Sequence, residues 1–444
     1  MQTPAAEPAA PTDSPAAERT VPGRIVAAWA LWDWGSAAFN AVVTTFVFAV
    51  YLTSGGFGAP AHVSALLGWS LAAAGVLIAL LAPVTGMRAD RASRRTLWLG
   101  VNTGIVVLTM ALLFVVKPEP GYLWLGLLLL AAGNVFFEFA SVNYNAMLAQ
   151  VSTPRTIGRV SGFGWGMGYL GGIVLLLVVY LGFIAPEVGL FGVTAEDGLN
   201  VRVAMLVAAA WFGLSAIPVL RAVRDKPRAA PVPRIGFFAS YRELGRRIAL
   251  LWREHRPVLG FLLASAVFRD GLAGVFTFGG VLAAGTFGFG ADTVLLFAIA
   301  ANVVAGISTV VVGLLDDRIG SRTVIIAALI GLVVSGLAVF LLHDAGATAF
   351  WVFGLALCMF VGPAQSASRS YLQHHMPAGR EGEVYGLYAT TGRAVSFLAP
   401  TAFALAVTLG GAQYWGVIGL VVVLVAGLVL LLALTPQERT ATRR

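Results

Sequence analysis

Twelve apolar runs divide this chain, at about 26–53, 62–86, 96–117, 121–149, 155–182, 200–221, 258–284, 292–314, 323–343, 347–374, 382–409 and 412–434. Each exceeds the roughly 20 residues that a helix needs to cross the hydrocarbon of a bilayer. A lipid-facing backbone must satisfy its own hydrogen bonds, and these runs are too long for barrel strands, so they are read as helices. Charge agrees: only 11% of residues are Asp, Glu, Lys or Arg, against roughly 25% in a soluble domain. The expected fold class is an all-α polytopic membrane protein with twelve transmembrane helices.

The runs fall into two sets of six. Gly86-Met-Arg-Ala-Asp90-Arg91-Ala-Ser-Arg94-Arg95 recurs without a gap as Gly313-Leu-Leu-Asp-Asp317-Arg318-Ile-Gly-Ser-Arg322, 227 residues later. Each copy joins two apolar runs, and a glycine, an acid and paired arginines in so short a connection imply a tight turn at the membrane surface. The repeat predicts two pseudo-symmetric halves, 24–221 and 258–434, joined by a basic linker over 222–257. Within the linker, Tyr241 to Arg253 reads as an amphipathic helix for the anionic leaflet. Residues 1–23, rich in Ala, Pro, Glu and Ser, are expected to be a disordered tail, and 435–444 a second short tail.

Orientation follows from arginine and lysine. Even-numbered connections carry Arg88, Arg91, Arg94 and Arg95, then Arg155 and Arg159, the stretch from Arg221 to Arg256, Arg318 and Arg322, and Arg380. Odd-numbered connections carry Lys117 alone. The positive-inside rule then places both termini in the cytoplasm of a bacterial inner membrane. These faces account for the net charge of +8, so no nucleic-acid partner is implied. Five scattered His and a single Cys, Cys358, assemble no metal site and no hydrolytic triad. No enzyme activity, metal or cofactor is expected.

Function is sought among the polar groups inside the runs, because an ionisable side chain there is costly unless it faces protein or water. Asp33, Ser36, Asn40 and Thr44 share one face of a regular helix in the first run, as do Asn134, Glu138, Ser141 and Asn145 in the fourth. The seventh contains Arg269 and Asp270, and the tenth Gln365, Ser366, Arg369 and Ser370. Runs three, six, nine and twelve carry no charge in their interiors. Arg269 and Asp270 project about 100° apart on a helix, so each needs a partner on a neighbouring helix, such as Asp33 or Glu138 for an arginine. Gly164, Gly168, Gly171 and Gly172 in the fifth run permit a close helix approach.

The repeated GxxxDR loop resembles the signature loop of the major facilitator superfamily of transporters. A narrower resemblance runs from residue 33 to residue 400. Asp33-Trp34-Gly35-Ser36-Ala37-Ala38-Phe39 is similar to the first-helix pattern D-W-A-N-S-A-F of the family of the fungal vacuolar amino-acid effluxer and its bacterial relatives. Asn143-Tyr144-Asn145-Ala146, Gly168-Tyr169-Leu170-Gly171-Gly172, Asp270-Gly271, the segment Gln365 to Ser370, Glu383 to Tyr388 and Gly392 to Pro400 resemble further patterns of that family. Arg393 stands where the pattern has lysine; it stays protonated, which suits a fixed cation for an anionic group or for Glu138.

The resemblance implies a central cavity lined by helices one, four, seven and ten. It also implies latches: Gly86, Asp90 and Arg91 near Glu381 to Val384 at the start of helix eleven, and Gly313, Asp317 and Arg318 near Arg155 to Gly158 at the start of helix five. The absence of a G-x-x-x-x-G-K-[ST] loop in the sequence points to an ion or solute gradient as the driving force. The expected activity is secondary transport of a small polar solute, with amino-acid efflux as the leading case, by a monomer in the bilayer. The expected cavity residues are Asp33, Ser36, Asn40, Asn134, Glu138, Asn145, Arg269, Asp270, Gln365, Arg369 and Arg393. Asp33 or Asp270 is the candidate carrier of a coupling proton, and Arg269 and Arg393 are candidates to hold a carboxylate or phosphate. A drug or lipid exporter of the same fold and a non-transporting sensor or scaffold are the alternatives.

Overall fold

The computed structural model describes residues 21–92, 94–153, 157–223, 225, 237–375 and 381–434. Among them are twelve helical spans long and apolar enough to cross a membrane: Gly23–Leu52, Pro60–Leu81, Arg95–Val115, Pro120–Leu148, Phe163–Ile184, Glu196–Ala222, Arg256–Gly285, Ala291–Thr309, Ser321–Leu341, Ala347–Leu372, Gly386–Gly410 and Trp415–Ala433. The protein is a multi-pass, all-helical membrane protein. The ninth and twelfth spans have the highest mean hydropathy, 2.9 and 3.0, as suits helices facing lipid. Successive spans run in opposite directions, so the arginine-bearing connections gather at one end of the bundle, called here the basic end.

The repeated segments are helical for most of their length and reverse tightly only near their last residues. The second span continues as helix to Ala92 and the eighth to Ile319, which puts Gly86, Asp90, Arg91, Gly313, Asp317 and Arg318 on helical backbone. A helix persists because none of these residues breaks it; in the second copy the reversal is at Gly320, with φ 87°, a conformation that glycine adopts without strain. The side chains of those six residues, and the segment around Arg155, lie outside the described residues.

The last arginine of each copy is described, and it docks on another helix. Arg95 donates to the Ala146 carbonyl at 2.9 Å, and Arg322 to the carbonyls of Leu431 and Leu434 at 3.2 and 2.7 Å. Arg322 thereby meets carbonyls in the last turn and cap of the twelfth span and places a cation at its negative pole, whereas Arg95 adds a second bond to a carbonyl inside the helix of the fourth span, before its end at Val151. At the start of the third span, Asp225 accepts from the Thr96 amide at 3.1 Å and its hydroxyl at 3.2 Å. Asp225→Ala is expected to lower stability by about 1 kcal/mol, the usual loss of a helix N-cap; thermal unfolding in detergent measures it.

Glycines set the contacts between the two halves, because a missing side chain lets membrane helices touch by their backbones. Gly280 in the seventh span lies against the Thr45 carbonyl and Val50 of the first. In the second span Gly68 lies against Pro400 and Ala404, and Gly75 against Ser396 and Phe397, all in the eleventh. Away from the basic end, Gln413 Nε2 donates to Ser64 Oγ at 2.6 Å across the same seam. Inside the N-terminal half, Gly171 sits so close to the Trp34 carbonyl that a β-carbon there would overlap it.

Two spans depart from regular helix. The first is α-helical over Gly23–Ala37, then π-helical over Ala38–Phe46, and returns to α-helix at Phe48. The Asn40 carbonyl accepts from both Thr44 and Thr45 hydroxyls at 2.8 Å, which occupies an acceptor that the wide turns leave available. The eleventh is broken into Glu381–Ala394 and Leu398–Gly410. Pro400 lacks the amide that would bond the Ser396 carbonyl, which weakens the helix there; short turns, from the Ser396 amide to the Arg393 carbonyl and from the Leu398 amide to the Val395 carbonyl, bridge the gap.

Candidate functional site

The break in the eleventh span creates two helix ends in the membrane interior, and each meets a charged side chain of matching sign. Arg393 stands in the last turn of the first segment, where the helix dipole is negative, and Asp270 of the seventh span meets the first turn of the second segment, where it is positive. Asp270 Oδ2 accepts from the Ala399 amide at 2.6 Å. This carboxylate is 93% shielded from solvent and is spent on a backbone cap. Its direct partner is a helix end that the sequence pattern does not reveal.

Arg393 points across the seam between the halves. Its Nε donates to Glu138 Oε2 at 3.0 Å and its Nη2 to Ser141 Oγ at 3.2 Å, both on the fourth span. The guanidinium is 14% exposed and the carboxylate 30%, so the pair borders open space and is not sealed in the core. Arg269 lies beside it, with Arg369, Arg393 and Glu138 as its charged neighbours. Its guanidinium sits 3.9 Å from the centroid of the Tyr388 ring and donates to the Tyr388 carbonyl at 3.1 Å, while the Tyr388 hydroxyl meets Ser368 Oγ at 3.0 Å.

Arg369 of the tenth span crosses the seam in the opposite sense and lies 4.7 Å from the Trp165 ring of the fifth. These two contacts, fourth span to eleventh and tenth span to fifth, are the same contact under the internal repeat. One is an ion pair and the other a cation–π contact. Both hold the halves together on the basic side of the break.

Asp33 occupies a separate niche in the N-terminal half. Its backbone carbonyl and Oδ1 accept from Ser36 Oγ at 2.9 and 3.4 Å. Gly168 of the fifth span faces it, with room such that a β-carbon would stand 3.7 Å from Asp33 Cγ. The Tyr144 hydroxyl lies beside the carboxyl but makes no well-formed hydrogen bond. The Tyr144 ring is held between Trp29 and Trp32, at centroid distances of 4.5 and 4.3 Å.

Wide turns over Ala38–Phe46 change the helical period along the face expected to run from Asp33 through Ser36 and Asn40 to Thr44. Thr44 is buried while Asn40 is exposed. On the fourth span, Asn145 is exposed and bonds back to Ser141; Asn134 is half-buried. Gln365 is also half-buried. Thus Glu138, Arg269, Arg369 and Arg393 come together, Asp33 and Ser36 form a second group, and Asp270 joins the break. Tyr388, Trp165 and Tyr144 were not singled out as site residues. The available signal was an aromatic residue within a span already marked by buried charge, the natural partner of a guanidinium without an acid.

A model described as "Vacuole effluxer Atg22 like" matches residues 149–443. The chain is 27% identical over 416 residues to an uncharacterized MFS-type transporter, YxiO, of Bacillus subtilis, with 92% of this chain and 94% of that protein covered. It is 28% identical over 275 residues to autophagy-related protein 22-1 of Aspergillus fumigatus, covering 55% of this chain and 42% of the fungal protein. Among solved structures, a D-xylose-proton symporter superposes with a TM-score of 0.66 at 15% identity, over 93% of this chain and 98% of that one. A bacterial homolog of the human lysosomal transporter Spinster, inward-facing and unoccupied, gives 0.63 at 16% identity, over 92% and 94%. These two likenesses concern the fold.

Proposed function

The chain belongs to the Atg22-like vacuole effluxer family and is an MFS-type transporter; on that footing we propose that it exports a small polar solute, with amino acids as the leading class, by alternating access. The observation that carries this reading is the ionic cluster at the seam: Arg393 of one half bonded to Glu138 of the other at 3.0 Å, with Arg269 alongside. Charges in this position face the path that must open and close as the halves rock. An amino acid offers a carboxylate for Arg269 and Arg393 and an ammonium for an acid such as Asp33. Asp33, held apart in its niche, is the proposed carrier of a coupling proton; Asp270 is the second candidate, acting through the break that it caps.

The repeated segments are proposed as latches of the basic end, with Asp90 and Asp317 against the starts of the eleventh and fifth helices. The basic end is proposed to face the cytoplasm of a bacterial inner membrane. Purified protein in proteoliposomes is the test. Counterflow of radiolabelled amino acids is expected with the native chain and is expected to disappear in Asp33→Asn combined with Asp270→Asn, while the variant still elutes as a single species. Undiminished pH-driven flux in that double variant removes both aspartates from the coupling role.

A further inference from the structure

Among the described side chains, cations outnumber carboxylates at the seam. Arg269 has Arg369 and Arg393 as neighbours, and Glu138 is the carboxylate that acts on Arg269 and is bonded to Arg393. Asp33 is engaged by Ser36, and Asp270 caps the break. Among the described residues, Arg269 meets the ring and the carbonyl of Tyr388, and Arg369 lies against the Trp165 ring with Tyr169 nearby. A cation in a membrane interior is strongly disfavoured unless countered, and aromatic faces and carbonyls counter it less fully than an anion does.

The carboxylate described in this group, Glu138, is also the one that ties the halves together. Any anion that enters between Arg269 and Arg393 competes with Glu138 for the same guanidinium. Arg393 can hold a planar two-oxygen acceptor through Nε and Nη2, the atoms now given to Glu138 and Ser141.

Resting on the transport reading above, we propose that the solute carries an anionic group, a carboxylate or a phosphate, which binds Arg269 and displaces Glu138 from Arg393. Glu138 is thus a tethered stand-in for the solute. Binding of the anion releases the bridge between the fourth and eleventh spans, and the empty protein stays clasped on its basic side. Cations and uncharged solutes leave the bridge closed.

The test is thermal unfolding of the full chain in detergent with the proteinogenic L-amino acids, the matching amino-acid amides, succinate and inorganic phosphate. At least one of the anionic probes is expected to raise the unfolding temperature, and the amides, which lack the carboxylate, are expected not to. Arg269→Gln is expected to lose the response. Glu138→Gln, freed of the competing carboxylate, is expected to bind the same anion about tenfold more tightly. Amides that match their acids, silence from every anionic probe, or weaker anion binding in Glu138→Gln would overturn the proposal. Counterflow of a sugar or nucleoside would overturn it too while leaving transport intact. Anion binding without flux in proteoliposomes would instead fault the transport reading.

Discussion

Arg393→Glu is expected to abolish solute flux and to lower stability by roughly 3 kcal/mol, because it sets a second carboxylate against Glu138 in a partly buried site where breaking a pair costs more than the pair itself contributes. Glu138→Arg alone is expected to behave similarly, with two guanidinium groups opposed. Joining the two changes restores the pair with its polarity exchanged. The double variant should then be more stable than the sum of the single losses implies, by about 1 to 3 kcal/mol of coupling. Denaturation in detergent supplies the four stabilities. Strictly additive losses would mean that the two side chains do not meet in the protein as it exists in solution.

Gly171→Val is expected to prevent recovery of folded protein. A β-carbon at this position overlaps the Trp34 carbonyl, which is backbone and cannot rotate away, so the fifth span must retreat from the first. Overpacking of this kind costs roughly 3 kcal/mol or more. Gly166→Ala on the same helix is the control, because nothing lies within 4 Å of a β-carbon there; Ala in place of Gly in a helix is neutral to favourable. Size-exclusion profiles of both variants decide the matter, and a monodisperse, stable Gly171→Val would refute the close approach of the two spans.

Much of this architecture is legible in the sequence because the bilayer leaves few choices. Apolar length alone locates all twelve spans, and the cost of intramembrane charge singles out Glu138 and Arg393, 255 residues apart, before any contact is known. The side chains that failed to fall as expected failed for local backbone reasons. A helical wheel assumes one period throughout, whereas wide turns follow Ala37 and leave Asn40 exposed and Thr44 buried. Asp270 reads as a cavity acid until the interrupted eleventh span supplies an amide for it. Serine and proline near 396–400 hint at that interruption, but nothing in their spacing tells which neighbouring helix will cap it. The repeated arginine segments mislead in a third way: their composition suits a turn, while their backbone stays helical to within a residue or two of the reversal.

The π-helical stretch in the first span has a mechanical meaning of its own. An extra residue packed into a helix is a dislocation: it can move along the axis by exchanging hydrogen bonds one at a time, without a rupture of the whole rod. Each residue it passes turns the side chains behind it by about 100°. The first span could thus swing Asn40 and its neighbours about the axis while Gly23 and Leu52 stay anchored, so that one helix rotates in part where a rigid helix would have to move as a whole.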